Sequence, residues 1–275
     1  MAERRKVPGR PFLRLLLVGF TVMFSPAPSF AEDWLPPGSA TEKTSNIPPE
    51  ILRPGTAIDD RFLYGRLLFR SPEILGEKAV RIGLSCDSCH TNGDVNTDFH
   101  ILGLSDRPGR VDVSHRFWQA GFDDGIDNPI DIPSLRGVGE TAPYGTLKIF
   151  ANLHAFTSHV ITEEFGGPLP LPGEIEALVT YMNSFDINVL NKSDTHVKTN
   201  EDMSYLPLLE TPLQDHDYAK IDELTDRIRA DIGRRATALQ QDDAIRLIKG
   251  LIDIRNKAAQ NEYEEALELY RSLRQ

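Results

Sequence analysis

The chain of 275 residues contains two cysteines, and both stand in one pentapeptide, Cys86-Asp87-Ser88-Cys89-His90. This C-x-x-C-H spacing is the attachment pattern of c-type haem, and it constrains the fold more than any other feature. Each thiol can add across a porphyrin vinyl group, and two intervening residues let one turn of chain bring both sulfurs to the same porphyrin edge. The adjacent His90 is then held beneath the ring, where its imidazole becomes an axial iron ligand. A chain built this way folds around a flat apolar group that replaces part of its own core. Three other readings stand beside it. Two cysteines in an exported protein can form one disulfide. A zinc site needs four ligands in tetrahedral array, and no further cysteine is present to help supply them. A thioredoxin-like pair belongs at the start of a helix in a strand–helix–strand setting, and no parallel-sheet pattern surrounds residues 86–90.

Haem attachment of this kind takes place outside the cytoplasm, and the N-terminus has the matching character. Arg4, Arg5, Lys6, Arg10 and Arg14 precede an apolar run from Leu15 to Phe24, and Ser29-Phe30-Ala31 offers small residues for a signal peptidase. The run is too short to span a bilayer comfortably, so residues 1–31 read as a secretory signal and the expected location is the periplasm. Cleavage after Ala31 removes five positive charges and one negative, taking the formal charge from −11 to −15. Such a chain is a poor partner for nucleic acid. It suits a redox partner with a basic docking face. No later stretch is apolar enough to hold a membrane.

The rest of the chain divides by pattern. Residues 32–56 carry Pro36, Pro37, Pro48, Pro49 and Pro54 and read as an extended leader. Residues 57–190 read as an all-α haem domain. Ile58, Phe62, Gly65 and Phe69 repeat at helical spacing from about Asp59, until Ser71-Pro72 stops the helix. A loop-rich region from Thr91 to Thr146 follows the haem motif. A helix is expected from Asn152, as N-cap, to about Glu164, and another from Pro172 to Phe185. Residues 191–216 look like a linker. Residues 217–275 form a helical extension with three apolar stripes: Ile221, Leu224, Ile228, Ile232; then Ile245, Ile248, Leu251, Ile252; then Tyr263, Ala266, Leu267, Tyr270, Leu273. Asn261–Tyr270 also looks like the second helix of a tetratricopeptide repeat, so this tail is a candidate for docking a partner.

Gly65–Pro72 followed by Ser85–His90, then Ile132-Pro133-Ser134-Leu135-Arg136-Gly137-Val138 and Thr141-Ala142-Pro143-Tyr144-Gly145, resemble the C-terminal haem domain of the bacterial di-haem cytochrome c peroxidase family. The likeness covers roughly residues 57–186. It implies a cytochrome c-like fold and one haem c held by Cys86, Cys89 and His90. The chain departs from the family in having a single C-x-x-C-H, and in following Gly145 with Thr146-Leu147-Lys148 where the family carries His-Asp-Gly. Electron transfer by a single haem is therefore the first expectation, with peroxidase-like action on hydrogen peroxide or a related oxidant as the alternative.

The second axial ligand separates these two classes. In the resembled family it arises from the helix after the Ala-Pro-Tyr loop, where this chain offers His154 and His159. His159 falls nearest the expected place, although it lies about 120° around the helix from Leu153. His100 and His115 sit in the loop region, Met182 on an apolar stripe, and His196, Met203 and His216 beyond the haem domain. Arg136 is a candidate for a haem propionate, as a charge-assisted pair. Asp123, Asp124, Asp127, Asn128 and Asp131 gather oxygen ligands of the kind calcium prefers, without EF-hand spacing; a solvated acidic loop is the simpler reading.

Overall fold

The computed structural model describes residues 48–188, 205–234 and 241–274, and the readings of residues 1–31 as a signal and of His196 and Met203 as ligands fall outside them. The described residues are largely helical. Asp59 caps the first helix by accepting the Phe62 N–H at 2.9 Å, and α1 runs Asp60–Phe69. Two short helices follow, α2 (Glu77–Ile82) and α3 (Cys86–Cys89), the second formed by the C-x-x-C-H segment itself. Helix α4 (Leu153–His159) begins where Asn152 accepts the Ala155 N–H at 2.8 Å. It passes into a π-helical turn over Val160–Glu164 instead of continuing as α-helix. Helix α5 (Pro172–Asn183) starts with Pro at its first position, and Glu174 reaches back to accept the Leu171 N–H at 2.7 Å.

Helices α1 and α5 form the centre. They touch at Gly65, where an added Cβ would sit 1.9 Å from the Ala177 carbonyl oxygen, so only glycine permits the approach. Phe62, Phe69, Tyr181 and Phe185 pack edge to face around this crossing, with centroids 4.8–6.1 Å apart. Ile58, expected on the same stripe, is exposed; it precedes the cap and never enters the helix. The described end of the leader, 48–56, is not a loose strap. Ile51 and Leu52 are buried, Leu52 bridges to Phe185, and the Asp186 N–H donates to the Ile51 carbonyl.

The long loop region carries a small antiparallel ladder, β1 (Arg110–Val111) against β2 (Ile130–Asp131), with Arg110 opposite Asp131 and Val111 opposite Ile130. Trp118 is buried beside it and donates its indole N–H to the Asp112 carbonyl.

Residues 205–214, expected within a linker, are packed structure. Leu206–Leu209 form a 3₁₀ turn and α6 covers Glu210–Gln214, with Leu209 and Leu213 fully buried. Helices α7 (Tyr218–Arg234), α8 (Gln241–Ala259) and α9 (Tyr263–Leu273) follow. The stripes of α7 and α9 are buried as expected. That of α8 is rotated: Ala244, Leu251, Ile254 and Ala258 point inward, while Ile245 is 55% exposed. The extension shares one apolar core with the rest of the described chain, and polar contacts add to it. Tyr64 donates to Glu223 and accepts from Lys220, and the Arg234 guanidinium donates to the Arg70 carbonyl. No described helix is long and apolar enough to cross a membrane.

Candidate cofactor site

Ser85 precedes α3 in extended conformation, and its N–H donates to Ser88 Oγ at 3.0 Å, which starts the short helix. One turn later α3 stops at His90, so Cys86, Cys89 and His90 are presented together. All three line one cavity of about 420 Å³, a size typical of small-molecule and cofactor sites. Leu84, Val111, Ile132, Leu135 and Val138 supply much of its apolar wall.

His90 is oriented by its own neighbour loop. Nδ1 lies 2.9 Å from the Pro133 carbonyl oxygen, which accepts its proton and leaves Nε2 as the nitrogen free for a metal. Burial drives the imidazole pKa down to about 4, against the pull of that carbonyl, so the ring is neutral at physiological pH as an iron ligand must be. Cys86 and Cys89 are unpaired, and burial raises both thiols, Cys86 to about 12 with help from Asp87. A thioredoxin-type pair requires the opposite shift.

Behind α3 lies a buried charged cluster that the sequence did not single out. Arg70 donates to Asn92 Oδ1 at 2.6 Å and stands 4.0 Å from Asp87, whose carboxylate accepts the Asn92 N–H. One turn earlier, Arg66 grips both Glu50 oxygens at about 2.9–3.1 Å and donates to Tyr205 at 2.7 Å. These contacts hold the motif helix against α1 from the side away from its sulfurs.

The other expected residues scatter. Arg136 does not line the cavity, although its neighbour Leu135 does; it pairs with Asp94 at 3.1 Å, while its Nε is buried without a partner. His159 is also off the lining, its ring packed against Phe150 and Phe122 and its Nε2 3.7 Å from Glu164. His154 is exposed, and neither His100, His115 nor Met182 reaches the cavity. No group of three or more His, Cys, Asp or Glu suited to a metal ion occurs among the described residues, the acidic loop included. Asp124 and Asn128 are instead engaged with Ser114 and with each other.

The residue that sequence reasoning missed is Glu164. It lines the cavity from the π-helical turn, and burial alone raises its carboxyl pKa to about 7. A glutamate near a helix end reads as a solvated charge; only its setting, between Ile161 and Phe165 and ahead of Gly166-Gly167, hints otherwise.

The residues present fit a haem: two free thiols and an oriented neutral imidazole at the edge of one apolar cavity. No family model, no curated protein and no solved structure matches the chain.

Proposed function

We propose that this protein is an exported c-type cytochrome of cytochrome c-like fold, carrying one covalent haem c and passing single electrons between redox partners in the periplasm. One observation carries the reading: Cys86, Cys89 and a His90 with its Nδ1 anchored to the Pro133 carbonyl all face one cavity. When bound, the haem would supply a one-electron iron couple. Cys86 and Cys89 would hold it by thioethers, and His90 would present Nε2 to the iron. The apolar wall limits water at the ring. The formal charge of −15 after removal of residues 1–31 favours a basic partner, and the α7–α9 extension adds a second surface for docking.

The test is expression in a host that attaches c-type haem. The native chain should gain the mass of one haem that survives denaturation, and give a pyridine haemochrome. Cys86→Ser/Cys89→Ser should show neither. A native chain without haemochrome overturns the proposal.

A second reading, peroxide chemistry, is favoured by the cavity lining. Among the described residues it includes no Met and no His besides His90, while it does include the half-buried acid Glu164. Rapid CO binding by reduced protein, together with peroxide turnover by oxidised protein, would replace the carrier reading with this one.

A further inference from the structure

Helix α8 carries two apolar stripes, and one of them faces outward. Ala244, Leu251, Ile254 and Ala258 are buried, and α8 lies against α7 and α9. The second stripe, Ile245, Ile248 and Ile252, repeats at spacings of three and four, the seam spacing of a coiled coil. Ile245 is 55% exposed, and Ile248 and Ile252 are half-buried. Arg255 marks the side towards α7, where it meets Asp226 at 2.7 Å, and a Cβ at Gly250 would meet Leu273 of α9 at 2.7 Å. At 100° per residue, Ile245 and Ile252 fall on the arc between those sides that points away from both helices.

Charge decides what fits against this seam. Asp242 and Lys249 are both exposed and flank it on the same side. They stand seven positions apart, about 10 Å along the axis, too far to pair with each other. An antiparallel copy of α8 brings them together. With the two-fold axis beside Arg246 and Leu247, Ile245 meets Ile248 of the second copy, and each Asp242 lies alongside the other copy's Lys249. A two-fold contact satisfies both pairs at once, and flanking pairs of this kind set orientation and partner choice. A parallel copy sets each residue level with its own counterpart and forms neither pair.

We propose that the outer seam of α8 is the docking site for a second copy of this chain, joined as an antiparallel two-fold pair. No cofactor enters this pairing, which stands with or without the haem reading. One pair of 19-residue helices buries less than a standard-size interface, so the dimer is reversible, with a Kd on the order of 10 µM.

Sedimentation of the purified full chain between about 1 and 500 µM should pass from monomer to dimer. Ile245→Asp alters an exposed position and should weaken the dimer on the order of a hundredfold, because the change enters the interface twice. Lys249→Glu sets two acids together at each edge and should weaken it about tenfold at low salt, and less at high salt. Asp242→Lys/Lys249→Asp keeps the composition, exchanges the two charges and should restore the native Kd to within about threefold. A monomer at every concentration, the result if another segment of the chain or a different protein covers the seam, would overturn the inference. So would a dimer indifferent to Ile245→Asp, or a charge exchange that leaves the dimer as weak as Lys249→Glu does.

Discussion

Replacing Glu50 by Ala should be the most damaging single change outside the cavity. The carboxylate is fully buried, lies 2.9 Å from Arg66 Nη2 and 3.9 Å from Arg70, and accepts the Tyr181 hydroxyl. Without it two guanidiniums face each other in the interior, and among the described residues Asp87, near Arg70, is the buried acid that remains beside them. Breaking a buried pair by deleting one partner costs about 3–5 kcal/mol, a large part of a total stability of roughly 5–15 kcal/mol. An independent route gives a similar figure. Burial raises the Glu50 pKa, but Arg66 and Arg70 outweigh it and bring the value from 4.5 down to about 2. A depression of this size corresponds to about 3 kcal/mol. Because the folded value is the lower one, that stabilisation is present above pH 4.5 and is lost as pH falls towards 2. Urea unfolding followed by tryptophan fluorescence should show the midpoint of the native protein dropping through this window, and a shallower drop in Glu50→Gln. Glu50→Leu/Arg66→Met should recover much of the loss, since apolar isosteres of a buried pair are often neutral. A loss below about 1 kcal/mol in Glu50→Ala, the scale of an exposed pair, would refute the argument.

Two further changes test the frame of the site. Gly65→Ala must push α1 away from the Ala177 carbonyl and should cost about 1–3 kcal/mol, read as a lower unfolding midpoint; an unchanged midpoint would contradict the close helix crossing. Asn152→Ala removes the cap of α4 and should cost about 1 kcal/mol. Amide exchange should accelerate first at Ala155, and equal rates in both proteins would argue against the cap.

Local chemistry made much of this architecture legible. Asp59 and Asn152 start helices where short acceptor side chains precede apolar periodicity, and the buried faces of α7 and α9 follow their stripes residue by residue. Helix α8 fails the same exercise because its sequence offers two overlapping stripes. Small Ala244 and Ala258 decide between them by letting neighbours approach, and a count of large aliphatic residues passes over them. The charged cluster was hidden for a different reason. Arg66, Arg70, Glu50 and Asp87 read as surface residues until the chain brings them together, and Arg66 and Tyr205 are 139 positions apart. The π-helical turn leaves no periodic trace, so Glu164 stayed among the solvated charges. Only the C-x-x-C-H unit carries its chemistry within five consecutive residues.

The Arg66–Tyr205 contact also sets an order of events in time. A polypeptide is made from its N-terminus, so Arg66 and Arg70 emerge long before Tyr205 exists to complete the cluster behind α3. Until then Arg66 lacks its Tyr205 contact, and the cluster behind α3 is incomplete. Arrival of Tyr205 then completes the buried network, so the final setting of α1 waits on a residue 139 positions further along.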